Sequence, residues 1–268
     1  DSRLFYCSMD IGTAKPSKAE QAQVPHHLID VCQPDQRLTL GEYQELAFGC
    51  IEAVQARGNL PMLVGGTGQY VMSVVEGWGI PKVPPQPELR EALGSLPPEE
   101  LASWLTMLDP ERAKTLDMRN LRRVIRELEE QLVAGRPISE LQEKTPPALN
   151  ICMVGLIRDR EALYARIDAR VDQMMADGLL EELLWLQQAG FGPELSSMSG
   201  LGYRQLWAFL NGEMSLEAAV ERIKFETHRF ARQQATWFRQ DDDRIAWFDL
   251  GDAGTETAVV EDVRKWLT

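Results

Sequence analysis

Between Arg57 and Val75 the chain passes from a turn through a short apolar segment into a glycine-rich loop and out into a helical pattern, and this order constrains the fold more than any other feature. The turn signal is Arg57-Gly58-Asn59, the apolar segment is Leu60 to Val64, and the loop is Gly65-Gly66-Thr67-Gly68. Tyr70-Val71-Met72-Ser73-Val74-Val75 follows as a helix start. Upstream, Tyr43, Leu46, Ala47, Cys50, Ile51 and Val54 share one face of a helix over Gly41 to Ala56. A helix feeding a strand feeding a helix is the grammar of a parallel sheet, so an α/β chain is expected, with Leu60 to Val64 as one strand and Ile151 to Ile157 as a second, buried one.

The pattern changes at Pro81-Lys82-Val83-Pro84-Pro85-Gln86-Pro87, where four prolines in seven residues forbid regular helix and mark a connector. From Glu88 to Ser139 the periodicity is helical, and Pro146-Pro147 punctuates the return to the strand at Ile151. This predicts a core whose first part spans 1–80, a helical insertion over 81–145, and a second core part over 146–268. Within the last, Arg160 to Ala189 and Leu216 to Phe238 read as helices, broken at Gly190-Phe191-Gly192-Pro193 and around Ser199-Gly200.

Composition narrows the functional classes. The longest apolar runs fall far short of the roughly 20 residues a membrane-spanning helix needs, so none is expected. Cys7, Cys32, Cys50 and Cys152 show no CxxC spacing, which suggests free thiols in a reducing cytoplasm. His26 and His27 are adjacent and would point to opposite faces of a strand, which suits a structural role better than chelation. The net charge of −13 argues against non-specific coating of nucleic acid. A nucleic-acid role therefore requires locally concentrated positive charge. Arg119, Arg122, Arg123 and Arg126, at i, i+3, i+4 and i+7, predict such a stripe, compensated either by a polyanion or by Glu127, Glu129 and Glu130.

The most specific segment is the first sixteen residues, in which Asp1-Ser2-Arg3-Leu4-Phe5-Tyr6 leads to Asp10-Ile11-Gly12-Thr13-Ala14-Lys15-Pro16. Pro25-His26-His27-Leu28-Ile29-Asp30, Leu63-Val64-Gly65-Gly66-Thr67-Gly68, Arg123-Val124-Ile125-Arg126-Glu127-Leu128-Glu129, Gly202-Tyr203-Arg204-Gln205 and Thr236-Trp237-Phe238-Arg239 follow in order. Together they resemble the tRNA dimethylallyltransferase family over nearly the whole chain. The resemblance implies a P-loop-type α/β core with a parallel sheet, an α-helical insertion domain that binds tRNA, and a helical C-terminal region.

The implied reaction is transfer of a dimethylallyl group from dimethylallyl diphosphate to the N6 amine of adenine 37, flipped out of the tRNA anticodon stem-loop. Asp1 matches the family aspartate near the target amine, where a carboxylate can accept the proton lost as the bond forms. Arg204 matches an arginine that contacts the diphosphate, whose charge grows in the transition state. Ser2, Arg3, Leu4 and Thr67 match positions against the tRNA and the flipped base, and the small residues of the glycine loop are read as allowing close backbone approach to a ligand. Arg90, Arg122, Arg123, Val124, Ile125 and Arg126 match tRNA contacts, with Arg122 standing where the family usually has glutamine. Trp237 and Phe238 read as core, while Arg232, Gln233 and Arg239 are candidates for reaching phosphates. The sequence contains no GxxxxGK[ST]. In the family that loop precedes the Asp-Ser motif and holds diphosphate and Mg²⁺, so a preceding P-loop segment is expected to supply the Mg²⁺ site, with no metal ligands in this chain. A cytoplasmic monomer is expected.

Three other readings share these features. A free-adenylate isopentenyltransferase would not need the insertion and its arginines. A P-loop small-molecule kinase would not need Asp1-Ser2 ahead of the Asp10 to Pro16 motif. A non-catalytic tRNA-binding protein would need the arginines alone.

Overall fold

The computed structural model describes residues 2–268, so Asp1 lies outside the described residues. In chain order the elements are α1 (Lys18–Gln23), α2 (Leu40–Ala56), α3 (Gly68–Val75), α4 (Pro87–Gly94), α5 (Pro98–Leu108), α6 (Pro110–Thr115), α7 (Leu121–Ala134), α8 (Ile138–Leu141), β1 (Met153–Ile157), α9 (Arg160–Ala176), α10 (Leu179–Gln188), a 3₁₀ turn (Ser197–Ser199), α11 (Tyr203–Leu210), α12 (Leu216–Gln234), β2 (Ile245–Asp249) and α13 (Thr255–Leu267). The strands pair in parallel, with Met153 opposite Ile245 and Ile157 opposite Asp249. A parallel pair must be joined by a crossover, and α9 to α12 provide it. This is the expected mixture of helices with a small parallel sheet. The Ile151 to Ile157 segment forms β1.

Leu60 to Val64 does not form the expected strand. Its residues are 41–74% exposed where named as large hydrophobics, Met62 and Val64 most of all at 73% and 74%. Apolar composition selects an extended conformation, but a strand also needs a neighbour to complete its hydrogen-bond ladder, and among the described residues none pairs with this segment.

The chain divides into two compact units. One comprises the chain up to Thr39, Leu46–Val71 and Leu149–Thr268; the other comprises Leu40–Glu45 and Met72–Ala148. In the first unit Phe5, Met9, Leu179, Leu183, Leu186, Met198, Tyr203 and Leu206 are buried. Helices α9 and α12 run antiparallel, joined by three side-chain rungs. Arg232 Nη1 donates to Tyr164 Oη at 2.7 Å. His228 Nε2 lies 2.8 Å from Asp168 Oδ1, though out of hydrogen-bond alignment. Lys224 Nζ reaches Asp172 Oδ1 at 2.7 Å. The Tyr164 and His228 rings also stack at 4.0 Å. Rungs recur every four residues on both helices because i and i+4 lie on one face.

In the second unit α4 to α8 enclose an apolar core of Leu93, Leu101, Leu105, Leu116, Val124 and Leu128. Asp109 caps α6 by accepting from Arg112 N, and it also accepts from both the backbone N–H and the hydroxyl of Ser139. The cap thus ties α6 to the start of α8. Glu129, fully buried, accepts from Gln86 N at the end of the proline connector, from Arg90 and from Arg126.

Candidate active site

In the first unit the segment Ser2 to Lys15 is fixed at each end. Ser2 Oγ lies 3.4 Å from Thr67 Oγ1. Arg3 donates to Ser196 O at 3.2 Å, Ser197 O at 3.4 Å and Ser199 Oγ at 3.2 Å. Leu4 O accepts Asp30 N. Phe5 and Tyr6 turn inward, with the Phe5 ring 5.8 Å from that of Tyr70. The turn that receives Arg3 also starts α11, since Arg204 N donates to Gly200 O at 3.2 Å. One turn therefore anchors both the N-terminal segment at Arg3 and the helix that carries Arg204.

The Asp10 to Lys15 loop explains most of its motif. Asp10 N and Ile11 N donate to Glu182 Oε2 at 2.7 and 2.8 Å, and Gly12 N donates to Glu182 Oε1 at 3.1 Å. Tyr203 Oη donates to the same Oε1 at 2.6 Å. Lys15, its side chain 4% exposed, donates to Tyr6 O and pairs with Asp10 and Asp30. Burial alone would lower the Lys15 pKa, but the hydrogen bonds to the two aspartates outweigh it and hold the ammonium above its ordinary value. Among the described residues, the non-glycine residues with positive φ are Ser8, Ala14, Leu28 and Asp30, all in or beside the two N-terminal motifs. Strained backbone of this kind persists only where its surroundings fix it.

The glycine loop is explained differently from the sequence expectation. A Cβ at Gly66 would lie 2.1 Å from Gln234 Nε2, and one at Gly68 would lie 2.2 Å from Trp237 Cγ. The end of α12 and the residues after it pack against the loop, the Trp237 ring most closely at Gly68. Trp237 is correspondingly not core: it lies across Gly68 and is 42% exposed.

Arg204 lies in the first turn of α11 with its side chain half exposed. Its guanidinium pairs with Glu226, which also accepts from Arg222 Nε at 2.5 Å and from Gln205 Nε2 at 3.0 Å. Burial would raise the Glu226 pKa, but Arg222 and Arg204 outweigh it and hold the carboxyl below its usual range. Arg204 thus carries an anionic partner that a phosphate group could replace.

In the second unit the arginine stripe is shorter than expected. Asn120 caps α7 through its side chain, so the helix starts at Leu121 and Arg119 lies outside it, paired with Asp117. Arg122 is exposed, and Arg123 approaches Glu127 at 3.8 Å. Arg126 pairs with Glu129 at 2.7 Å and with Glu130 at 2.5 Å, and Arg90 pairs with Glu129 at 2.8 Å. The Val124 side chain belongs to the apolar core, and Ile125 packs against it. Of the two forms of compensation, pairing with glutamate occurs at Arg126, while Arg122 on the same helix is exposed.

Among the described residues no group of three His, Cys, Asp or Glu side chains could hold a metal ion, and His26 instead uses Nδ1 on Val24 O. No helix among them is long and apolar enough to cross a membrane. The position that sequence reasoning did not single out is Glu182. Glu182 meets the Asp10 loop across more than 170 residues, and no local pattern marks it.

The sequence model of the family described as IPP transferase matches residues 4–241. A tRNA dimethylallyltransferase of Chloroflexus aggregans is 49% identical over 244 residues, covering 90% of this chain and 82% of that protein. The structure of the tRNA isopentenylpyrophosphate transferase of Bacillus halodurans superposes with a TM-score of 0.73 at 34% identity, covering 100% of this chain and 86% of that one. A eukaryotic dimethylallyltransferase, solved acting on tRNA, gives a TM-score of 0.82 at 25% identity over 97% of this chain and 69% of its own.

Proposed function

The chain belongs to the IPP transferase family, and from that premise we propose that it transfers the dimethylallyl group of dimethylallyl diphosphate to the N6 amine of adenine 37 in tRNA. The observation that carries the reading is the 196–200 turn, which anchors Arg3 on one side and starts the Arg204 helix on the other. An amine nucleophile and a diphosphate leaving group must meet at one allylic carbon, so their two binding segments need a common support.

In the reaction a bond forms between N6 and the allylic carbon while the carbon–oxygen bond to diphosphate breaks. The amine proton passes to the Asp1 carboxylate acting as general base, and diphosphate departs with the bonding electron pair. Arg204 exchanges Glu226 for the departing oxygens, a planar guanidinium suited to bidentate contact. Ser2, Arg3, Leu4 and Thr67 receive the flipped adenine and its neighbours. Arg90, Arg122, Arg123 and Arg126 take the tRNA backbone, with the Val124 to Ile125 stretch supporting them from the core. Among the described residues no group of three His, Cys, Asp or Glu side chains could hold a metal ion, and no step above is routed through Mg²⁺. A cytoplasmic monomer accords with this role.

The test is incubation of the purified protein with dimethylallyl diphosphate and either tRNA or AMP, followed by mass analysis of nucleosides. The expected product is N6-isopentenyladenosine from position 37 of tRNA only. Prenylated AMP would favour the free-nucleotide reading, and tRNA binding without product would favour a non-catalytic binder.

A further inference from the structure

Resting on the reading of Arg204 as the diphosphate residue, we propose that Glu182 and Tyr203 are positioning residues for it, coupling the Asp10 to Gly12 backbone to the first turn of α11. Four donors converge on the Glu182 carboxylate: three successive backbone N–H groups and the Tyr203 hydroxyl. Successive N–H groups of this kind form a concave anion nest, and here the chain fills it with its own carboxylate. Glu182 cannot turn without breaking several of these bonds.

The phenol is held as firmly. Tyr203 is 1% exposed, and a Cβ at Gly12 would lie 2.5 Å from its ring Cζ, so bare backbone lies against the ring. Tyr203 and Arg204 are consecutive in one helix, which fixes them about 100° apart around its axis. With the Tyr203 ring pinned, α11 cannot rotate, and the direction in which Arg204 leaves the helix is set. Gln205, one residue further, caps the same turn by accepting Gly202 N and also donates to Glu226, the present partner of Arg204. The loop, Glu182, Tyr203 and Arg204 thus form one continuous chain of contacts, with Arg204 at its solvent end.

The experiment uses the intact protein as wild type, Tyr203→Phe, Arg204→Ala and the double variant. Binding of inorganic pyrophosphate and of tRNA is measured by calorimetry, and transfer from dimethylallyl diphosphate at saturating tRNA. Removal of the hydroxyl should weaken pyrophosphate binding and raise KM for dimethylallyl diphosphate by about tenfold, since a misaimed group loses much of its effect. The affinity for tRNA should stay constant. In the Arg204→Ala background Tyr203→Phe should cost nothing further, because the group it positions is gone. Glu182→Gln, of equal size, should behave in the same way. Equal losses in both backgrounds, or unchanged pyrophosphate affinity in both Tyr203→Phe and Glu182→Gln, would overturn the proposal, as would a parallel fall in tRNA affinity. A wild type that binds pyrophosphate but forms no prenylated product would defeat the assigned activity instead, while the binding cycle would still decide the positioning role.

Discussion

At Glu226 a single carboxylate meets Arg222, Arg204 and Gln205. Its folded pKa lies below the ordinary value of 4.5, because the two guanidiniums outweigh the effect of burial. A depressed carboxyl stabilises the fold above its unfolded pKa and loses that stabilisation as pH falls through the folded value. Urea denaturation should therefore show wild-type stability falling more steeply than that of Glu226→Gln between about pH 5 and pH 3. Parallel curves would mean that the pairing adds nothing to the folded state. At this scale legibility depends on sequence distance. Arg222 and Glu226 are four apart on one helix, a pairing that spacing reveals. The Glu182 contact with Asp10 to Gly12 is invisible in the sequence, since only the packed fold brings α10 to that loop. The glycine loop shows a third case, where the residue type marks a close approach and only the fold shows that Gln234 and Trp237 lie against it.

Among the elements, helices with strong periodicity were the most legible: Gly41 to Ala56 appears as Leu40–Ala56, and Leu216 to Phe238 contains α12. Caps decided what periodicity could not. Asn120 starts α7 after Arg119, so a four-arginine stripe by spacing lost its first member. The apolar run at Leu60 to Val64 failed as a strand because pairing is a property of two segments, and one segment's composition reports only half of it. Asp109 offers a direct test of an element boundary. It is buried and accepts three hydrogen bonds that hold the N-terminus of α6 and the first residues of α8. Asp109→Ala removes a helix cap and the hydrogen bonds that tie Ser139 to it, so destabilisation of about 1–3 kcal/mol is expected from urea titration. A loss below about 0.5 kcal/mol would show that water replaces the carboxylate without cost.

For the whole molecule the net charge of −13 opposes binding of a polyanion, so affinity for tRNA must come from local cations. Arg122 is exposed while Arg126 is already neutralised by Glu129 and Glu130. The slope of log affinity against log salt for tRNA should accordingly flatten by about 0.7–0.9 in Arg122→Ala. Arg126→Ala should change that slope less, and equal changes would show that the glutamates release Arg126 on binding. The α9 and α12 pairing has a further consequence for how the crossover between the strands is registered. Its rungs repeat every helical turn, so sliding one helix by four residues would set Tyr164 against His228 and Asp168 against Lys224. Both are attractive pairs, and the first already stacks in the present register. The interface is therefore a ruler with interchangeable graduations. The polar rungs alone therefore leave the register open, and the rest of the packing, with the connections at the helix ends, must specify it.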